Sequence, residues 1–365
     1  MSITNNSRNG TIELLRFFAA VCIAVYHFEW IYIGHPVYFV HFYIWVEFFF
    51  VLSGFFLAFN CVKPHICSGK NNNNVLPAEI NYTIGEFKKL YPMYFVAFIW
   101  SFFALHIENH ASIYSILGDL WKSKWEILLC NVFMFDSDKT LYNVTSTYVA
   151  SLLFSSLLLF YLIRNRRKLF VCVLGPAMVF IGYGRIIKLY GNLSQWLNDD
   201  GFVTASLIRA LAGMSLGALC YLLITEIIRT NKTIHLLLCI CGLTSIPILV
   251  LFRDNISFSD LVIWPFLFGG LLSSLYIPFS LSEKKIKRKA KNIKLNSILC
   301  GLGKLSYPIF LFHYGLLIIM KNYYPNLSYK NMILFFVFFI MLIANLAILM
   351  QKIIMKYKKN IESSS

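Results

Sequence analysis

Residues 11–30 read TIELLRFFAAVCIAVYHFEW, an apolar run interrupted deep within the span by Glu13, Arg16 and His27. About 20 mostly apolar residues is what a helix needs to cross the hydrocarbon core of a bilayer. A cleavable leader has a short uncharged apolar region and a small-residue cleavage site, so these charges argue for a retained helix. An ionisable side chain inside a membrane span costs several kcal/mol, ~3 by the lower scales, which makes each of the three a candidate for function. Arg16 and His27 stand eleven residues apart, which on an α-helix is about 20° beyond three full turns and a rise of about 16 Å. They share one face at two depths.

The rest of the chain repeats the pattern. Ten apolar spans are expected, at roughly 12–30, 39–61, 86–106, 147–163, 169–185, 204–228, 234–252, 259–280, 298–319 and 332–354. The fold class is therefore all-α, a polytopic bundle forming a single membrane domain over residues 1–365 with short tails. Composition agrees: 58% of the 365 residues are hydrophobic and only 14% charged, against about a quarter charged in a soluble domain. The net charge of +16 does not call for nucleic acid, because the basic residues sit in short loops between spans. With the N-terminus inside, 22 of the 33 Lys and Arg fall on that side and 8 on the other, leaving Arg16, Arg209 and Lys304 within spans. By the positive-inside rule both termini are expected in the cytoplasm, in a multi-pass protein of the cell's inner (plasma) membrane. The longest outer segment, 107–146, carries Trp121, Trp125 and an apolar stretch too short to span, which suits an interfacial helix. The nine cysteines show neither a CxxC pair nor metal spacing and read as free thiols, and no metal is expected.

Depth arithmetic sorts the remaining polar residues into two groups. Arg16, Lys88, Lys89 and Lys304 form an inner cationic group suited to a phosphorylated ligand. His27, Glu47, Arg209 and His313 form an outer group mixing acid, base and imidazole, as an acid/base site requires. Ser53 lies deeper on the second span, and Ser306 on the inner half of the ninth. Blander readings compete with these. An intramembrane histidine often serves as a hydrogen-bonding link between helices, and Lys88 or Lys304 can snorkel to headgroups.

These stretches together resemble the acyltransferase-3 family of membrane acyltransferases, which includes bacterial O-antigen and capsule O-acetyltransferases. The resemblance runs from IELLRFFAAVCIAVYHF through VEFFFVLSGFF and EFKKLYPMYF to IRALAGMSLGALCY and LGKLSYPIFLFHY. It implies a ten-helix core that takes an acyl group, usually acetyl, from acyl-CoA at the cytoplasmic side and places it on an extracytoplasmic sugar hydroxyl. By position, Arg16 matches the family arginine and His27 the family histidine. Glu13 and Glu47 stand where Asp is more usual, Lys89 stands three before Pro92 where Arg is usual, and Thr147 occupies a position where Trp is expected.

The expected roles follow. Arg16, Lys88 and Lys89 bind the nucleotide end of acyl-CoA, and His27 acts as general base with Glu47 as its orienting carboxylate. Glu13, Ser53, Arg209, Ser306 and His313 support them, Arg209 or His313 holding the oxyanion or the sugar. No permanently bound cofactor is expected, only acetyl-CoA or another acyl-CoA as donor. The expected partners are membrane lipids, acyl-CoA and a glycan acceptor, with a homodimer compatible and nucleic acid not expected. A transporter, flippase or polymerase of lipid-linked glycans would also carry buried charges along a path across the bilayer and is the rival reading.

Overall fold

The computed structural model describes residues 9–62, 77–108, 112–133, 141–194, 199–200, 202–252, 254–257, 260–276, 290–325 and 328–364. Among them nine helices are long and apolar enough to cross a membrane. In chain order the helices are α1 (Gly10–Tyr32), α2 (Trp45–Val62), α3 (Ala78–Glu108), α4 (Ile113–Lys122), α5 (Lys124–Ile127), α6 (Ser146–Asn165), α7 (Arg167–Tyr190), α8 (Ala205–Ile224), α9 (Lys232–Leu251), α10 (Ile263–Tyr276), α11 (Ala290–Tyr323) and α12 (Tyr329–Ser364). The strands among the described residues are two residues each, β1 (Asp199–Asp200) and β2 (Val203–Thr204), paired antiparallel with Asp199 opposite Thr204.

Of the expected eighth span, 259–280, the described residues hold α10, 14 residues long, about 21 Å at 1.5 Å per residue. Residues 277–289 lie outside the described set. Other helices overrun their apolar windows, α3 beginning at Ala78 and α11 at Ala290. Hydropathy marks only the part of a helix that meets lipid, and polar sequence of adequate helix propensity continues beyond it. The interfacial reading of the 107–146 segment corresponds to α4, which has no buried residue and exposes Ile113, Tyr114, Leu117 and Trp121.

Helix pairing fixes the level at which each polar residue sits. α1 and α11 run in the same sense: the Gly10 amide donates to Asn296 Oδ1 (2.8 Å), Glu13 fills the space beside Gly303, and Tyr32 Oη donates to the Pro325 carbonyl (3.1 Å). α2 and α8 also run in the same sense and approach closely. A Cβ at Gly54 would overlap the Met214 carbonyl, and one at Gly217 the Val51 carbonyl. α3 and α11 pair likewise, with Tyr307 Oη donating to the Leu90 carbonyl (3.1 Å) and Gly315 against Trp100. α1 packs on α2, α2 on α6, α6 on α3, α3 on α11 and α11 on α1. These five helices close a circuit, while α9 and α12 stand outside it with mostly exposed apolar faces.

Two buried carboxylates fasten connections between helices. Glu29, at the end of α1, accepts from the amides of Val37 (2.8 Å), Tyr38 (3.1 Å) and Phe39 (3.2 Å) and from Tyr329 Oη (2.8 Å). Glu126, on α5, accepts from the amides of Tyr142 (2.9 Å) and Asn143 (2.8 Å). Loss of water around Glu126 pushes its pKa up to about 7, opposed by those two amides.

Candidate active site

The first turns of α1 carry Glu13 and Arg16, and the helix repeat brings them together: Arg16 Nη1 lies 3.0 Å from Glu13 Oε2. Glu13 is buried and Arg16 half-buried. Because Glu13 abuts Gly303, Arg16 stands at the level of the Gly303–Lys304 step of α11. Lys88 and Lys89 precede Leu90, whose carbonyl meets Tyr307 one turn further along α11. The four cations of the inner group therefore reach one level from three helices. Lys88, Lys89 and Lys304 are exposed, and Lys89 pairs with Glu86 at 3.2 Å. Ser306 is buried and donates its hydroxyl hydrogen to the Gly303 carbonyl (2.8 Å).

Three turns along α1, His27 meets α11. Its Nδ1 is 2.7 Å from Nε2 of His313, whose ring is fully buried, whereas His27 is half-buried. His313 was expected to hold the oxyanion or the sugar. Its complete burial and its bond to His27 leave it no exposed nitrogen for either task.

Glu47 was expected beside His27 as its orienting carboxylate, and the structure places it elsewhere. Glu47 Oε1 accepts from Arg209 Nε (2.7 Å) and Oε2 from Tyr183 Oη (2.7 Å), with Glu47 0% and Arg209 4% exposed. A guanidinium neutralises a buried carboxylate far better than a neutral imidazole does, so within lipid the two full charges seek each other. The closeness of α2 and α8 at their glycines allows it. The two clusters are neighbours nevertheless. Tyr26, adjacent to His27 in sequence, lies within electrostatic range of Arg209, and its ring centroid is 5.7 Å from that of Tyr43.

Between the inner and outer levels lie residues that sequence reasoning did not single out. Tyr148 of α6 is beside Ser53 and within electrostatic range of Arg16, and its ring packs edge-on against Phe310 at 4.9 Å, three residues before His313. Arg16, Ser53, Tyr148, Tyr307 and His27 are all half-buried although they belong to helices of one closed circuit. Thr147, where Trp was expected, is buried and donates to the Val144 carbonyl (3.2 Å). Tyr183 is not among the residues the sequence reading singles out. A tyrosine between two glycines, Gly182 and Gly184, was the available signal.

The family model for the acyltransferase domain matches residues 9–350 of the chain. The chain belongs to this acyltransferase family. No curated protein and no solved structure matched. The match takes in α1 to α11 and most of α12, so every residue of both clusters lies inside the acyltransferase domain. The protein is thus an acyl-transfer enzyme with several helices able to span a membrane.

Proposed function

We propose that this acyltransferase moves an acyl group, acetyl in the simplest case, from acyl-CoA in the cytoplasm to a hydroxyl of a cell-surface glycan or its lipid-linked precursor. The observation that carries the reading is the placement of Arg16 and His27 on one helix of a closed five-helix circuit, at two depths about 16 Å apart. A cation at one end suits the nucleotide phosphates of CoA, with Lys88 and Lys89 beside it. The pantetheine arm would pass Ser53, Tyr148 and Tyr307, half-buried residues on helices of that circuit.

At the outer level His27 removes the proton from the acceptor hydroxyl as its oxygen attacks the thioester carbonyl. The carbon–oxygen bond forms, the carbon–sulfur bond breaks, and the leaving thiolate of CoA recovers the proton from His27. Charge-neutral bookkeeping leaves an ester on the glycan and free CoA. Glu47, Arg209 and Tyr183 hold α2, α7 and α8 around this level. The orientation that fits is both termini in the cytoplasm, in the plasma membrane.

The test is twofold. Purified protein in proteoliposomes, given acetyl-CoA labelled in the acetyl group, should release free CoA and transfer label, and His27→Ala should lower this by at least about 10²-fold. Mass spectrometry of surface glycans from cells with and without the protein should differ by one acyl group per repeat. A flippase or polymerase would leave the thioester untouched, and that result would overturn the reading.

A further inference from the structure

The pairing of His27 with His313 determines which nitrogen of His27 is basic. Nδ1 of His313 lies 2.8 Å from the carbonyl oxygen of Phe310 and 3.3 Å from that of Ile309. A carbonyl only accepts, so Nδ1 of His313 carries a hydrogen. In the neutral ring its Nε2 then presents a lone pair. That lone pair is 2.7 Å from Nδ1 of His27. The ring planes are inclined by 1° with centroids 4.9 Å apart. A centroid separation exceeding the nitrogen contact by about a ring's width, at almost no inclination, describes two coplanar rings meeting edge to edge. One hydrogen lies between the two nitrogens, and His27 must provide it.

A charged His313 would reverse this, donating from both nitrogens. Full burial opposes it, since a buried charge without a counter-ion is costly. Among the described residues no carboxylate is bonded to either ring, and Glu47 is committed to Arg209 and Tyr183.

We propose that His313 is a positioning residue that fixes His27 as the Nδ1–H tautomer and leaves His27 Nε2 as its one basic nitrogen. This rests on His27 being the general base. His313 thereby takes the place that a carboxylate occupies in other base-plus-orienter pairs, using a lone pair in place of an anion. When His27 Nε2 takes the acceptor proton, its Nδ1–H bond to His313 becomes charge-assisted. His313 in turn leans its own Nδ1–H on two helix carbonyls, so the developing charge is spread along α11 without burying an acid.

Nitrogen-15 NMR of histidine-labelled protein in proteoliposomes, without substrate, reads the tautomer directly, the His27 signals being those lost in His27→Gln. Wild type should show a protonated Nδ1 and a bare Nε2 at His27. In His313→Leu the acceptor is gone, the tautomer should shift toward Nε2–H, and acyl transfer should fall about 10²-fold or more. In His313→Gln the amide oxygen reaches the position of Nε2, so the Nδ1–H tautomer and much of the turnover should return. A wild-type His27 bearing hydrogen on Nε2, or a His313→Leu protein that keeps both tautomer and rate, would overturn the inference. If wild type shows the Nδ1–H tautomer but transfers no acyl group, the tautomer assignment stands and the transferase reading falls.

Discussion

Glu47 shows what a single charge demands inside lipid. Its carboxylate is fully buried, and both oxygens accept hydrogen bonds, from Arg209 and Tyr183. Removing one member of such a pair leaves the other charge buried without its counter-charge, which costs about 3–5 kcal/mol, whereas the net worth of the intact pair is much smaller. Glu47→Ala should therefore lower the midpoint of thermal unfolding in detergent sharply. Tyr183→Phe should cost less, about 1–3 kcal/mol for one lost hydrogen bond to a charged group. If the reverse order is measured, the network is not what holds these helices. The pair was only half legible in the sequence. Depth placed Glu47 and Arg209 together, but 162 residues separate them and no periodicity joins them. Charge neutralisation alone would have paired them ahead of Glu47 and His27. The Arg16–His27 relation was fully legible, because both lie on one helix and the helix repeat is known beforehand. The His27–His313 contact spans 286 residues and needed coordinates.

At the level of elements, the approach of α2 to α8 depends on positions without a side chain. A Cβ at Gly217 would meet the Val51 carbonyl and the Phe55 amide. Gly217→Val should force the two helices apart and with them Glu47 from Arg209. The expected outcome is loss of the folded protein on size-exclusion chromatography, or a large fall in melting temperature. The outer segment offers a gentler test. Glu126 has its pKa pushed from 4.5 up to about 7 by burial, so between these values the folded state holds a proton that the unfolded state has released. Stability then falls as pH rises through that window and is flat above it. Melting in detergent should be higher at about pH 5 than at about pH 8, and Glu126→Gln should remove this contribution from the difference. Apolar windows fall on the nine described helices long enough to cross and on α10, because lipid imposes length and hydropathy at once.

For the molecule as a whole, the sense of the helices is mutually consistent while the side of the membrane is set by charge. α1, α3 and α11 point one way, as the Gly10–Asn296, Leu90–Tyr307 and Trp100–Gly315 contacts require. The first, third and ninth crossings of an alternating chain must do so if α10 marks one passage between α9 and α11. Within that frame the 22-to-8 distribution of Lys and Arg favours the orientation that puts the Arg16 end of α1 in the cytoplasm. The proposed reaction needs that same orientation, because the opposite one would set the cations proposed to hold acyl-CoA on the side away from the cytoplasm. Single cysteines in a background without the native nine decide it. With a membrane-impermeant maleimide applied to intact cells, His35→Cys, in the exposed connection between α1 and α2, should be labelled at once. Asn165→Cys, exposed at the end of α6, should react only after the membrane is opened. Labelling of residue 165 and protection of residue 35 would invert the bundle, and with it the route proposed for the acyl group.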